Sequence, residues 1–301
     1  MKRILAVSAA LLAVGCSAQA NTLPVAGPTD TPTLPTVTET PPPDPVVMAA
    51  GDIACAPGDT VNDCHDPQTA ALLAGADRVL TLGDNQYQMG TLTEFQGSYD
   101  LSWGAYKSIT EPVPGNHEYM TANAQGYFDY FGVPPWYSYD VGAWHLVALN
   151  SSLPLKEGTE QNNWLEADLA ANTATCTLAY MHFPRYSGGK YYPGVRSMRT
   201  AWRDLLADRA DVVLAGHDHN YQRFALMNNL GEVSPTGIRQ FIVGTGGKNN
   251  FEHDFSRAVG LEYANGNVYG VLKLTLHPTS YDWAFVTEDN TVLDQGTDAC
   301  L

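Results

Sequence analysis

The chain has 301 residues, 44% of them hydrophobic and 10% aromatic, enough for one large domain or two small ones with an ample core. Its 32 acidic and 16 basic residues give a formal net charge of -16, which argues against nucleic acid or an anionic membrane surface as partner. Such a shell also repels a phosphate-bearing ligand, unless cations are gathered at the site that receives it.

Residues 1–20 read as a leader: Lys2-Arg3 precede an apolar run from Ile4 to Val14 that is too short to span a bilayer. Two processing sites compete. Leu12-Ala13-Val14-Gly15-Cys16 resembles a lipobox in which Cys16 is lipidated, and Ala18-Gln19-Ala20 resembles an ordinary cleavage site. Residues 21–45, rich in Pro and Thr, read as a semi-stiff tether that cannot pack a core. The expected location is therefore extracytoplasmic. A lipid anchor to the cell envelope is preferred over a secreted or periplasmic soluble form. Any contact with a membrane runs through that anchor. The chain is expected to be a monomer or a homodimer.

Of five cysteines, setting Cys16 aside leaves four in an oxidising compartment. Cys55 and Cys64 share a Pro/Gly/Asp-rich loop and are expected to pair, which leaves Cys176 for Cys300. No C-x-x-C pair offers a cysteine metal site instead.

The catalytic domain is expected over 46–301. Residues 46–50 form an apolar run ending at Gly51-Asp52. Asp66-Pro67 are placed to start a helix that Gly75 stops. A buried strand at 78–82 then ends in Gly83-Asp84-Asn85-Gln86-Tyr87. The glycine lets the chain turn and sets a carboxylate at the sheet rim. That carboxylate can bridge two ions, with a phenol three residues on. Alone, Gly-Asp-x-x-Tyr is a weak signal, because Gly-Asp after a strand is a common turn.

Helix-like spacing covers 94–107, with Phe95, Tyr99, Trp103 and Tyr106 as core or cleft wall. The extended segment 109–114 ends in Gly115-Asn116-His117-Glu118, and the aromatics over 127–137 are expected to line the approach to it. A strand is expected at 143–149, with His145 structural. A helix follows at 160–171, then a strand at 177–181 that ends at His182. A helix at 196–209 leads to a strand at 211–215 that ends in Gly216-His217-Asp218-His219. The rest is β-like, at 241–243, 268–276 and 281–287, with Gly244-Thr245-Gly246-Gly247 between.

Strands separated by helices, then a run of strands, predict an α/β layered domain on two sheets, with ligands at strand carboxyl ends. Asp52, Asp84, Asn116, His182, His217 and His219 each follow an apolar run directly. With Tyr87 they form a set of carboxylate, phenol, amide and imidazole donors that suits Fe, Mn or Zn and exceeds what one ion needs. Two ions about 3.5–4 Å apart clamp a phosphoryl group and lower the pKa of a water between them. Hydrolysis of a phosphate ester is the reaction class that needs this.

As an ordered set, Gly51-Asp52, Gly83-Asp84-Asn85-Gln86-Tyr87, Gly115-Asn116-His117-Glu118, His182 and Gly216-His217-Asp218-His219 resemble the calcineurin-like metallophosphoesterases. They resemble most the purple acid phosphatases, because Asp52-Ile53-Ala54 lacks the usual Asp-x-His histidine while Tyr87 is present. The resemblance covers roughly residues 46–250. It implies an α/β/β/α sandwich of two mixed sheets flanked by helices. It implies Fe(III) on Asp52, Asp84, Tyr87 and His219, and a divalent Fe, Mn or Zn on Asp84, Asn116, His182 and His217.

His117 would contact the phosphate or protonate the leaving group. The substrate would be a small phosphorylated molecule, a monoester by preference, with phosphodiesterase or nucleotidase as the rival reading. Familiar members carry another His after the one matching His182. Here Tyr191 or Tyr192 occupies that place, and His253 is a weak substitute. Asn116, Arg185, Tyr191 and Tyr192 are the candidate substrate contacts. No Gly-x-Ser-x-Gly elbow suggests a serine hydrolase.

Overall fold

The computed structural model describes residues 43–189, 194–207, 210–251 and 254–301. The leader, Cys16 and most of the tether, together with Tyr191, Tyr192 and His253, lie outside those residues. The strands are β1 Val46–Ala50, β2 Arg78–Leu82, β3 Thr110–Val113, β4 Tyr137–Val141, β5 Trp144–Ala148, β6 Cys176–Met181 and β7 Val212–Ala215. They continue as β8 Tyr221–Met227, β9 Ile238–Val243, β10 Leu261–Asn265, β11 Gly270–Leu276, β12 Ser280–Thr287 and β13 Val292–Ala299. The α-helices are α1 Asp66–Ala71, α2 Leu92–Gly97, α3 Gln125–Phe131, α4 Glu160–Ala171 and α5 Arg199–Ala207. Among the described residues no helix is long and apolar enough to cross a membrane.

One sheet runs β13-β12-β11-β1-β2-β3 and the other β10-β8-β9-β7-β6-β5-β4. Both are mixed. β1, β2 and β3 are parallel in the first, and β5, β6, β7 and β9 in the second, with antiparallel strands on the flanks.

The period-2 alternation of a strand sorts the core. Leu146, Leu178, Leu214 and Phe241 point from the second sheet into the core shared with the first. Val147, Ala179, Val213 and Ile242 point the other way and bury Leu165 and Leu169 of α4 with Trp202 and Leu205 of α5. On the outer face of the first sheet, Phe95 and Trp103 pack beside Leu73. The result is a four-layer α/β/β/α sandwich.

The long helix expected at 94–107 is broken. α2 is followed by two 3-10 turns, Tyr99–Leu101 and Trp103–Ile109. The sequence carries the reason, since Gly97-Ser98 and Ser102 interrupt it with residues that favour turns over helix interiors. The aromatics over 127–137 serve the core rather than a cleft. Tyr127 is fully buried, and its hydroxyl and that of Tyr137 both donate to the Pro112 carbonyl at 2.9 Å. His145 on β5 is structural: its ring nitrogens lie 2.8 Å from Asp140 of β4 and 3.0 Å from Asp168 of α4. The hydrogen bond to Asp168 leads the causes that raise its pKa.

Both expected disulfides form, Cys55–Cys64 and Cys176–Cys300. The second joins the first residue of β6 to the residue after β13, and so ties one sheet to the other.

Candidate metal centre

Three strand ends turn into the left-handed region at a residue other than glycine. These are Asp52 after β1 (φ 58°), Asp84 after β2 (φ 47°) and His217 after β7 (φ 72°). Such conformations cost of order 1–3 kcal/mol each and persist where surroundings over-determine them. Here the bracing is visible. Gly51 N donates to Val243 O at 2.8 Å, Asp52 N to Gly83 O at 3.0 Å and Gly216 N to His182 O at 3.0 Å, so the strand ends of both sheets are stitched together. The turn after β9 adds to this, with Gly246 N donating to Gly51 O and Lys248 N to Asp52 O, both at 2.9 Å. Gly83, itself at φ 80°, has no room for a side chain, because a Cβ there would lie 2.6 Å from His182.

The turns bring seven side chains from five parts of the chain into one cluster. The Tyr87 hydroxyl oxygen lies 2.9 Å from Asp52 Oδ1, 3.1 Å from Asp84 Oδ2 and 2.9 Å from His219 Nε2. On the other side, His182 Nε2 lies 3.3 Å from Asp84 Oδ2, 3.1 Å from Asn116 Oδ1 and 3.2 Å from His217 Nδ1. Asp84 Oδ2 thus stands between two trios. Asp52 and His182 are fully buried, while Asp84, Tyr87 and His219 are nearly so.

Further partners fix the ring orientations. His182 Nδ1 donates to Leu82 O at 2.9 Å and His219 Nδ1 to Asn249 O at 2.6 Å, so each presents Nε2 inward. Asp52 accepts from His217 N at 2.7 Å, and Asp84 from His117 N at 2.8 Å.

The electrostatics favour a positive charge in the middle. Burial alone would make Asp84 neutral, yet the charge and hydrogen bond of His182 hold its carboxyl well below the usual range. Burial opposes charge on His182 too, and Asp84 overrides it to raise that imidazole. His217 falls to about 3 through burial and the charge on His182. Tyr87 is pushed well up by burial and by Asp52 and Asp84. One phenolic proton faces two carboxylates and an imidazole nitrogen, and cannot satisfy all three. Hard oxygen and imidazole donors crowded around more negative charge than their protons offset fit a pair of cations. The other close cysteine–aspartate groups, at Cys55 and at Cys176, have their sulfurs locked in disulfides.

His117 stands at the open side. Its Nδ1 donates to Gln88 O at 2.7 Å, its ring packs 4.2 Å from that of Tyr87, and Nε2 is 4.0 Å from Asp84 Oδ2. Arg185 is apart from the seven, with its guanidinium over the Tyr186 ring at 4.5 Å.

Two residues next to the cluster have roles that the sequence reading did not assign. Lys248 is buried, sits 5.1 Å from the Tyr87 ring centre and pairs with Asp59 at 3.4 Å. Glu118 is fully buried. It accepts from the amides of Asp84 (3.0 Å), Gln86 (3.1 Å) and Gly115 (2.7 Å), and so pins two ligand-bearing turns to each other. Burial and the charge of Asp84 raise its pKa. An acid directly after Gly115-Asn116-His117 was the only signal available.

Glu118→Gln keeps the size but turns an N–H toward an amide that needs an acceptor. It is expected to cost about 1–3 kcal/mol in denaturant unfolding. Unchanged stability would remove the pinning role.

A family profile described as calcineurin-like phosphoesterase matches residues 44–221. Among curated proteins, Purple acid phosphatase 21 of Arabidopsis thaliana is 38% identical over 117 residues, 37% of this chain and 26% of its own length. Purple acid phosphatase 22 of the same plant is 28% identical over 211 residues, 65% of this chain and 44% of its own. The chain therefore spans less than half of either relative. A purple acid phosphatase from yellow lupin (Lupinus luteus) seeds shares the fold, with a TM-score of 0.73 at 19% identity over 85% of this chain and 53% of that one.

Proposed function

Because the chain belongs to the calcineurin-like phosphoesterase family, we propose that it hydrolyses phosphate monoesters at two cations held by the seven clustered side chains. The observation that carries this reading is the position of Asp84 Oδ2 between the Tyr87 and His182 trios. Asp52, Asp84, Tyr87 and His219 would hold a ferric ion. Asp84, Asn116, His182 and His217 would hold a divalent Fe, Mn or Zn. When bound, the pair supplies Lewis acidity and positive charge to a phosphoryl group, which the acidic surface does not.

The chain's own residues do the rest. Leu82 O and Asn249 O orient the imidazoles, and Glu118 holds the Asp84 turn against the Asn116 turn. His117, with Nδ1 engaged by Gln88 O, has Nε2 to hold a proton for the leaving oxygen. No other imidazole follows His182 as far as Gly189, so His117 is the group we assign to that proton. The two disulfides support an extracytoplasmic enzyme, lipid-anchored at Cys16 or released after Ala20.

The test is hydrolysis of p-nitrophenyl phosphate against bis-p-nitrophenyl phosphate by the purified chain, before and after a chelator. The monoester should be favoured by roughly tenfold or more in kcat/KM, and activity should vanish with chelation and return with iron and zinc. Preference for the diester would shift the assignment to a phosphodiesterase. Hydrolysis of neither by metal-loaded protein would overturn the reading.

A further inference from the structure

Beyond the metal cluster, the described surface holds a cavity of about 1080 Å³ whose lining includes Arg185, Arg196 and Arg199. In a chain with 16 basic residues against 32 acidic ones, three guanidiniums against the one lining carboxylate, Asp254, reverse the charge locally. None of the three is among the ion pairs of the described residues, whereas Arg78, Arg203, Arg223 and Arg239 all face carboxylates within 4.0 Å. Burial, with the charges of Arg199 and Arg196, lowers the pKa of Arg185. Its buried Nε has no hydrogen-bond partner, and Nη2 reaches only Asn229 O at 3.4 Å.

Arg196 and Arg199 also sit badly for stability. They lie in the 3-10 turn before α5 and at its first residue, with no acidic residue in that first turn. The helix dipole there disfavours cations. Three guanidiniums that repel one another, with no ion pair among the described residues and two of them at a helix start, fit an anionic partner.

Two lining residues reach the chain segment that carries His217 and His219. Ser187 Oγ donates to the carboxylate of Asp218, which lies between His217 and His219, and Gly188 N donates to Gln222 Oε1 at 2.8 Å. Arg185 is three residues after His182, so their Cα atoms are at most about 11 Å apart.

We propose that this arginine-lined cavity is a second anion site that takes the oligophosphate remainder of a polyphosphorylated substrate while its terminal phosphoryl group occupies the metal cluster. The role in hydrolysis rests on the function proposed above; the binding itself does not.

Two measurements test it, with the paired variant Arg196→Glu with Arg199→Glu and the milder Arg196→Gln with Arg199→Gln. Both residues are exposed, so folding is expected to survive. Calorimetric titration of the chelator-treated full chain with tripolyphosphate should show binding that the glutamate pair weakens roughly tenfold or more, and the glutamine pair by less. In the metal-loaded enzyme, kcat/KM for tripolyphosphate should fall by a similar factor while that for p-nitrophenyl phosphate stays unchanged. No binding by the unmodified chain, equal affinity in the variants, or equal losses on both substrates would each overturn the site. Binding that behaves as expected in a chain that hydrolyses neither substrate would retain the anion site and reject only the phosphatase reading.

Discussion

Asp84→Asn is expected to reduce phosphatase activity on the order of 10³-fold and to lower the metal content of the purified chain. The substitution preserves the size of the side chain and an oxygen that can still accept from His117 N, now at 2.8 Å from Oδ1. What it removes is the charge shared by the Tyr87 and His182 trios. An amide oxygen carries too little charge to hold two cations side by side, so both half-sites should weaken together. Substitutions on one side alone, such as Asn116→Ala, should be milder. A variant that kept full activity and both metals would show that Asp84 is not the shared ligand. Loss of activity with unchanged metal content would place Asp84 in the chemistry rather than in the binding.

The second large effect is on stability. Replacing Cys176 and Cys300 together by serine opens a link that spans 124 residues and joins the two sheets. By the loop-entropy relation such a link is worth about 4–5 kcal/mol, against roughly 2.5 kcal/mol for the short Cys55–Cys64 loop. Other ties remain across the same region: Arg239 of β9 pairs with Asp298 of β13, and Leu301 N donates to Asp211 Oδ1 at 2.6 Å. These should keep the fold intact at low temperature. Thermal unfolding of the two paired variants under identical conditions gives the comparison. An equal or larger loss on removing Cys55–Cys64 would mean that chain entropy does not govern this disulfide.

Much of the centre was legible in the sequence because strand ends are legible. Apolar runs stop at Gly51, Gly83 and Gly216, and the next residue is a donor each time. Those residues are Asp52, Asp84 and His217, the three non-glycine positions with left-handed φ around the cluster.

Long-range partners were much less legible. β13 has few apolar residues and reads as loop. Its pairing depends on Tyr221 and Arg223 at Asp294, and on Gly296 lying where a Cβ would meet the Trp283 ring at 2.3 Å. β8 starts two residues after His219, with only Asn220 between, so the strand merges with the ligand motif in the sequence. Glu118 looked like the tail of a motif, because two of its three amide partners lie 34 and 32 residues away. The arginine cavity draws on a loop and a helix start that no local pattern connects.

The most direct test of the central claim is anomalous diffraction from crystals of the metal-loaded chain, collected at the iron and zinc edges. The account predicts two peaks about 3.5–4 Å apart, one among Asp52, Tyr87 and His219 and the other among Asn116, His182 and His217, with Asp84 touching both. A single peak, or peaks outside these side chains, would contradict it.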